Sequence, residues 1–312
     1  MADITLLQQK ANAGDAEAQY NLGLCYYSGD GVNQDYEKAV ALWQQSADKG
    51  FVDAQINLGI CYNTGRGVEQ DLKKAVDLLM KPAEEGDPVA QCHIAGFYLW
   101  GEGVEQSDAK AVEWFTKAAE QGDANSLYLL GSFYKTGRCV EQDYEKALVY
   151  FRKAAELGQS DAQNELGLWY YSGKVVAKDY EQARTWFEKA AEQGNIEAIN
   201  SLGGIYCYGH GVPENPEKAV SLWTKAAEQN NKEAQFQLGL CYYSGIGIQK
   251  DIEKAVSLHL KSAEQGYAEA QFQVGLYCEL AKDYSSALSW YQKAAEQGNP
   301  DALKRLKDLD LI

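Results

Sequence analysis

Few residues in this sequence could perform acid–base or nucleophilic chemistry. The three histidines, the side chains most often used as general bases, are His93, His210 and His259. They lie far apart along the chain, and no two of them share a local motif. Carboxylate pairs such as Glu84 and Glu85 stand at the polar ends of segments, where a solvated surface explains them. These residues predict a protein that is not an enzyme.

The motifs that hold a nucleophile, a metal ion or a phosphate are also missing. The sequence contains no GxSxG, HExxH, CxxC, GxGxxG or Walker-type GxxxxGK[ST] pattern. Its seven cysteines are scattered, and an odd number suits a reducing compartment. They are Cys25, Cys61, Cys92, Cys139, Cys207, Cys241 and Cys278. We expect no cofactor and no metal site.

The sequence repeats with a period of 36 residues. A glycine, or once an asparagine, recurs every 36 residues, at Gly14, Gly50, Gly86, Gly122, Gly158, Gly194, Asn230 and Gly266. Each closes an alanine-rich segment. Glycine is the residue type that best adopts the left-handed conformation at a helix end, and asparagine is the next best. The eighth unit is four residues shorter because it lacks the equivalent of residues 29–32. The chain is therefore predicted to be a repeat protein.

Each unit contains two apolar patterns with helical spacing. In the first unit these are Ala18, Leu22 and Tyr26, followed by Ala39, Leu42, Trp43 and Ala47. Asp15 and Asp35 precede the two patterns, where helix N-caps are expected. We predict helix A over about 16–27 and helix B over about 36–49, so that each unit is a helical hairpin.

Comparison of the units indicates which positions pack closely. The Gly23 position holds glycine in seven units and alanine in the other, and the Ala39 position is always alanine. Such small residues predict close helix contacts, because a glycine in mid-helix costs roughly 0.5–1 kcal/mol relative to alanine. The Gly31 position also accepts Cys139 and Val175, so we expect that it does not require left-handed backbone.

One hairpin cannot cover its own apolar face, so consecutive hairpins must stack. The predicted fold is all-α, a right-handed α-solenoid of eight hairpins with a capping helix at each end. Residues 4–14 are predicted to form the first capping helix and 301–311 the last. The predicted domains are 1–13 for the N-terminal cap, the eight repeats 14–49, 50–85, 86–121, 122–157, 158–193, 194–229, 230–265 and 266–298, and 299–312 for the C-terminal cap.

The unit resembles a known family. The segments AQYNLGLCY (18–26), GDGV (29–32) and DYEKA (35–39) look like the Sel1-like repeat, a longer-looped relative of the tetratricopeptide repeat. The match recurs in all eight units. The resemblance implies a scaffold or adaptor that mediates protein–protein interactions through a concave helix A surface. Two other functions stay open: an immunity or inhibitor protein that blocks a toxic effector enzyme, and a hydrolase acting on peptidoglycan or β-lactams.

By analogy with tetratricopeptide repeats, helix A positions that recur without a core role are candidate partner-binding residues. Small hydroxyl residues occupy the Ser28 position in most units, but two units place Trp100 and Tyr208 there. Large rings at an exposed position are typical of binding hot spots. An equally favoured alternative is that each ring covers the loop of its own hairpin. Further aromatic candidates are Tyr20, Tyr27, Tyr128, Tyr171, Phe236, Tyr243 and Phe272. An acidic margin is predicted from Glu17, Asp53, Asp161, Glu197, Glu233 and Glu269.

The repeat positions of two histidines predict whether their rings are buried or exposed to solvent. His259 stands where other units place tryptophan or phenylalanine, so we expect a packed ring. His210 lies in a loop between Gly209 and Gly211 and is expected to be solvated.

Charge and hydropathy limit the class of partner. The chain carries 45 acidic and 29 basic residues, a net charge of −16, whereas phosphate binding needs a basic surface. We expect no nucleic acid but a protein or peptide partner, and the negative charge reflects either solubility or docking of a basic one. The chain begins without signal-peptide features and lacks the ~18 consecutive apolar residues of a membrane helix. We expect a bacterial-type, cytoplasmic monomer that binds no membrane.

Overall fold

The computed structural model describes residues 4–308, and all regular secondary structure in that range is helical. The eighteen helices are α1 (Ile4–Asn12), α2 (Ala16–Ser28), α3 (Tyr36–Ala47), α4 (Val52–Thr64), α5 (Leu72–Glu84), α6 (Pro88–Trp100), α7 (Asp108–Glu120), α8 (Ala124–Thr136), α9 (Tyr144–Glu156), α10 (Ser160–Ser172), α11 (Tyr180–Glu192), α12 (Ile196–Tyr208), α13 (Pro216–Glu228), α14 (Lys232–Ser244), α15 (Ile252–Glu264), α16 (Ala268–Leu280), α17 (Tyr284–Glu296) and α18 (Pro300–Asp308). The predicted all-α class is confirmed.

The chain divides into two compact units, Met1–Gln159 and Ser160–Ile312. In the first unit α1 is followed by four hairpins, in which α2 packs on α3, α4 on α5, α6 on α7 and α8 on α9. In the second, α10 packs on α11, α12 on α13, α14 on α15 and α16 on α17, and α18 follows. Within each unit, helix B of one hairpin packs on helix A of the next. The predicted eight hairpins and two terminal helices are confirmed, as is the stacking of hairpins within each unit.

Cap residues set the helix ends. Asp15 and Asp35 each accept a hydrogen bond through Oδ1 from the backbone N–H three residues ahead, at 2.7 and 3.0 Å, so both predicted N-caps are confirmed. Helix A ends before Gly29, which has a left-handed φ of 79°, one residue later than predicted. Helix B ends at Ala47, two residues earlier than predicted. Asn230 adopts the expected left-handed conformation, with φ 63°.

The bounds of the terminal helices differ slightly from those predicted, where they can be compared. The first ends at Asn12, because Ala13 and Gly14 form the turn that leads into α2. The last runs from Pro300 to Asp308, and the predicted residues 309–311 lie outside the described part of the chain.

The two helices of a hairpin approach closely at the small residues. A Cβ atom added to Gly131 would lie 2.8 Å from Cδ1 of the Phe151 ring, which is closer than real Cβ contacts allow. Ala147, on the same helix as Phe151, is completely buried, and none of the eight alanines at its position is more than 3% exposed. The predicted close contacts at both positions are confirmed.

The Gly31 loop position is left-handed in most hairpins but does not require that conformation, as predicted. Gly31 has φ 71°, and Cys139 keeps the left-handed conformation with φ 63° although it carries a side chain. A close contact between hairpins also favours glycine at this position, since a Cβ on Gly103 would lie 2.7 Å from the backbone oxygen of Leu72 in the preceding hairpin. Val175, a β-branched residue, is the member of this set without a positive φ.

Candidate partner-binding site

Trp100 and Tyr208 are the last residues of α6 and α12, and their side chains are 59% and 56% exposed. In five other hairpins a serine or threonine occupies this position, and its hydroxyl turns back to its own helix. Thr64 Oγ1 donates to the backbone oxygen four residues earlier at 2.9 Å, and Ser244 Oγ does so at 2.7 Å. The two rings project from the helix instead, as expected for side chains that are not part of the core.

Each exposed ring follows a glycine by four residues, which places both on one face of the helix. These are Gly96 and Gly204, at a position where most other hairpins carry a leucine or isoleucine. A Cβ atom added to either glycine would meet nothing within 4 Å. The missing side chain opens a hollow beside the ring, in these two hairpins. Sequence analysis missed this pairing, although comparison of the two columns of the repeat would have found it.

The hollow beside Trp100, the Trp100 hollow, has a volume of about 300 Å³. It is lined by Asn63, Cys92, His93, Phe97, Glu102 and Leu129, among others. The guanidinium carbon of Arg138, from the loop of the next hairpin, lies 4.5 Å from the Trp100 ring centroid. This cation–π contact covers part of the ring with a residue of the same chain.

Burial shifts the pKa of two residues that line the Trp100 hollow. It raises the pKa of the Cys92 thiol to about 11 and lowers the pKa of His93. The thiol is therefore protonated at neutral pH and is a poor nucleophile.

The hollow beside Tyr208, the Tyr208 hollow, has a volume of about 240 Å³. It is lined by Leu168, Tyr171, Asn200, Glu233, Gln237 and Tyr267, among others. The loop residue that corresponds to Arg138 is here Ile246, which carries no charge. Both hollows lie beside a helix glycine and an exposed ring, but the two rings have different neighbours.

The other predicted aromatic residues are mostly held by neighbouring side chains. At the Tyr20 position all four rings are half-buried against another ring: Tyr20 on Phe51 (5.1 Å between centroids), Tyr128 on Phe151 (5.8 Å), Phe236 on His259 (5.1 Å) and Phe272 on Tyr291 (5.6 Å). Of the three at the Tyr27 position, Tyr27 and Tyr171 are half-buried, whereas Tyr243 is 47% exposed. Packing accounts for most of this set, and binding through their exposed edges stays a prediction.

The predicted acidic margin lies at the surface. Five of its members are exposed, namely Glu17, Asp53, Asp161, Glu197 and Glu269. Glu233 is half-buried, because it lines the Tyr208 hollow.

Comparison with known proteins now identifies the fold family. Eight consecutive segments match the model of the Sel1 repeat, at residues 16–51, 52–87, 88–123, 124–159, 160–195, 196–231, 232–267 and 268–299. The chain belongs to the Sel1 repeat family. Each matched segment begins two residues after the corresponding repeat boundary drawn at the periodic glycines.

Two solved structures are similar over nearly the whole chain. A protective antigen present in uropathogenic Escherichia coli strains is 38% identical with a TM-score of 0.76, and the match covers 95% of this chain and 64% of that one. A Sel1 repeat protein from Oxalobacter formigenes is 31% identical with a TM-score of 0.64, with coverage of 99% and 90%. Our chain thus spans less than two thirds of the antigen's length.

An immunity protein from Pseudomonas aeruginosa is 22% identical, with a TM-score of 0.49 and coverage of 70% of this chain and 82% of that one. A similarity of this size concerns the fold alone. The search of curated proteins found no match.

The histidines of this Sel1 repeat protein differ from each other in surroundings. His259 is completely buried, so the predicted packed ring is confirmed. The prediction of a solvated His210 was wrong, because its ring stacks on Tyr180 at 4.7 Å and its Nδ1 lies 2.9 Å from the hydroxyl of Tyr171. His210 is half-buried and fastens its loop to the preceding hairpin.

Residues 4–308 contain no metal cluster and no membrane-spanning helix. No group of three or more His, Cys, Asp or Glu side chains in that range could hold a metal ion. None of the helices described is long and apolar enough to cross a membrane. All seven cysteines are present as free thiols.

Proposed function

We propose that this Sel1 repeat protein is an adaptor that binds another protein through helix A positions, with the Trp100 hollow and the Tyr208 hollow as its anchor sites. Sel1 repeat proteins typically mediate protein–protein interactions, and their solenoid is generally a non-enzymatic scaffold. The proposal assigns no reaction to the chain.

One observation carries the proposal: the glycine and the exposed ring occur together, in the same two of eight hairpins. A glycine in mid-helix lowers stability by roughly 0.5–1 kcal/mol when no close contact requires it. An exposed tryptophan or tyrosine likewise adds nothing to the core. Both features are explained together if a side chain of a partner enters the hollow and packs on the ring, as hot-spot anchors do.

Affinity capture with matched variants tests the proposal. The wild-type chain, the double variant Trp100→Thr/Tyr208→Ser and the control Thr64→Ala/Ser244→Ala would be immobilised and exposed to lysate of the source organism. All four substitutions affect the same repeat position, so general changes of the surface cancel. We expect a protein that the wild type and the control retain and the ring variant loses. Equal recovery by all three chains would overturn the proposal.

The identity of the captured partner then separates the two forms of this function. A toxic enzyme whose activity falls on binding would identify an inhibitor or immunity protein, whereas a non-toxic partner would identify an adaptor. The seven free thiols support a cytoplasmic location, where thiols stay reduced. Alkylation of intact cells followed by mass spectrometry would test it, since a periplasmic chain would show oxidised cysteines.

A further inference from the structure

The chain repeatedly uses its own cations to cover aromatic rings between hairpins. Arg138 lies over Trp100, and Arg66, at the same loop position of another hairpin, lies over Tyr27 and Tyr36 at 5.6 and 5.3 Å. Arg66 Nη1 also donates a hydrogen bond to the hydroxyl of Tyr27 at 2.7 Å. A guanidinium between consecutive hairpins is therefore a recurring element of this protein.

The hairpin that follows Tyr208 departs from this arrangement. Its loop residue at that position is Ile246, which is 51% exposed. No guanidinium or ammonium lies over the Tyr208 ring in the described part of the chain. The ring, 56% exposed, therefore lacks the cation that covers Trp100 at the same repeat position.

The Tyr208 hollow is also negatively charged. Glu233 lines it and forms no ion pair with any residue between 4 and 308, and no lysine or arginine lines it. Burial and the carboxylates of Glu269 and Glu233 raise the pKa of Tyr267, another lining residue, to about 12. An adjoining hollow adds one charge of each sign, Glu197 and Lys232. The local charge thus matches the negative net charge of the whole chain.

One residue that lines the hollow also has a side-chain oxygen without a hydrogen-bond partner. The side-chain oxygen of Asn200, Oδ1, is buried and has no hydrogen-bond partner among the residues described. Asn200 lines the hollow, and its backbone oxygen already accepts the indole N–H of Trp223 at 3.2 Å. A buried acceptor without a partner is costly, so rotation of the Asn200 amide towards a donor brought by a ligand would be favoured.

We propose that the Tyr208 hollow receives an arginine side chain of the bound protein. Its guanidinium lies on the Tyr208 ring, as Arg138 does on Trp100, and directs N–H donors towards Glu233 and Asn200. Arginine suits the site better than lysine, because its planar group stacks on rings and carries five donors and no acceptor. This inference rests on the proposed function and specifies the partner as one with an exposed arginine in a basic segment.

Titration with three small probes tests the chemistry directly. Isotope-labelled protein would be titrated with N-acetyl-arginine amide, N-acetyl-lysine amide and N-acetyl-citrulline amide, while the backbone N–H of Gly204 and the side-chain amide of Asn200 are followed by NMR. Citrulline has nearly the shape of arginine but no charge. We expect saturable shifts with the arginine probe and affinity at least about tenfold weaker for the citrulline probe. Equal affinity for arginine and citrulline, tighter binding of lysine, or the absence of saturable shifts would overturn the arginine assignment.

Variants of the hollow provide the matched controls. Ile246→Arg would place a guanidinium of the chain itself on Tyr208, so we expect it to abolish binding of the arginine probe. Glu233→Gln should weaken binding several-fold, whereas Glu253→Gln, an equal charge change on an exposed helix B residue of the same compact unit, should not. Unchanged binding in Ile246→Arg would contradict the proposal.

Failure of this inference can be distinguished from failure of the proposed function. If the arginine probe does not bind but capture still depends on Trp100 and Tyr208, the adaptor function stands and the arginine assignment is wrong. If the arginine probe binds while capture is the same for all chains, the hollow binds arginine but is not the anchor of a protein partner.

Discussion

The buried imidazole of His259 is hydrogen-bonded to the hydroxyl of Tyr277, with 2.9 Å between Nδ1 and the hydroxyl oxygen. Its other nitrogen, Nε2, lies 3.2 Å from the backbone oxygen of Phe236. Because a carbonyl oxygen only accepts hydrogen bonds, Nε2 carries the proton and Nδ1 accepts from Tyr277. This arrangement describes a neutral imidazole with both nitrogens satisfied.

The same bond occurs at the equivalent position of two other hairpins. The indole N–H of Trp43 donates to the backbone oxygen of Tyr20 at 3.1 Å, and that of Trp223 donates to Asn200 at 3.2 Å. His259 therefore replaces a tryptophan as the donor that joins helix B to helix A. The replacement introduces a group that can titrate into a buried contact.

The first prediction concerns pH. Burial lowers the pKa of His259 in spite of its bond to the carbonyl of Phe236. In the unfolded chain the histidine pKa is about 6.5, so protonation favours unfolding. The neutral imidazole of His259 therefore contributes fully to the free energy of unfolding above that pH. This contribution is lost as the pH falls from the unfolded towards the folded pKa, and it amounts to about 1.4 kcal/mol for each unit by which the two pKa values differ. Urea unfolding followed by NMR signals of residues 160–308 at several pH values measures it.

His259→Trp is the control for this prediction, because it restores the residue of the equivalent hairpins and cannot titrate. We expect its stability to change less between pH 7 and pH 5, values on either side of about 6.5. An identical pH dependence in the variant and the wild type would assign the effect to other groups.

The second prediction concerns the small residues of the core. Ala147 is completely buried, so Ala147→Leu would overpack its hairpin at a cost of about 1–3 kcal/mol. Because each hairpin contacts only its neighbours, the loss should be local. Hydrogen exchange should increase most in α6, α7, α8 and α9 and least in α16 to α18. Equal loss of protection in every helix would show that the chain unfolds as one cooperative block.

The helices, their caps and their closest contacts could be predicted because each depends on residues of a single hairpin. Because the 36-residue unit occurs eight times, a residue type that recurs at one position in most units indicates a structural requirement and not a coincidence. The sequence did not reveal the contacts between successive hairpins. His210 contacts Tyr171, and Arg66 contacts Tyr27, each at a separation of 39 residues. Comparison of equivalent positions does not reveal which different positions touch.

The candidate site was predicted only in part for a related reason. Trp100 and Tyr208 differ from the residues at the same position of other units, so the sequence alone indicates them. Their hollows depend on a second difference four residues earlier, at Gly96 and Gly204. The two hollows differ from each other through a third position, in the loop of the following hairpin, which is Arg138 after the Trp100 hollow and Ile246 after the Tyr208 hollow. Only the packed structure brings these three positions together.

The third prediction separates stability from binding at the glycines. A side chain at Gly96 or Gly204 would meet open space, so alanine there should raise stability by about 0.5–1 kcal/mol through better helix propensity. Leucine, the residue of several other hairpins, should fill the hollow and reduce partner affinity. Gly131→Ala is the control, because its Cβ would clash with Phe151 and lower stability. Denaturant midpoints and partner titrations measure both effects, and a leucine variant with full affinity would show that the hollows are not used.

The last prediction concerns the rings themselves. Trp100→Thr and Tyr208→Ser restore the residue type of the other hairpins and should each reduce partner affinity by about 2 kcal/mol, roughly thirtyfold, if the rings are anchors. Thr64→Ala and Ser244→Ala should leave affinity unchanged. The two ring variants should differ in stability, because Trp100→Thr also removes the contact with Arg138, worth about 0.5–1 kcal/mol.

Arg138→Gln separates the two roles of Trp100. It removes the cation–π contact but keeps the ring, so it should reproduce the stability loss of Trp100→Thr without its loss of affinity. Binding would be measured by calorimetry and stability by thermal unfolding of the same samples. If the ring variants keep the wild-type dissociation constant, or if affinity falls only in step with stability, Trp100 and Tyr208 serve packing and the anchor assignment is wrong.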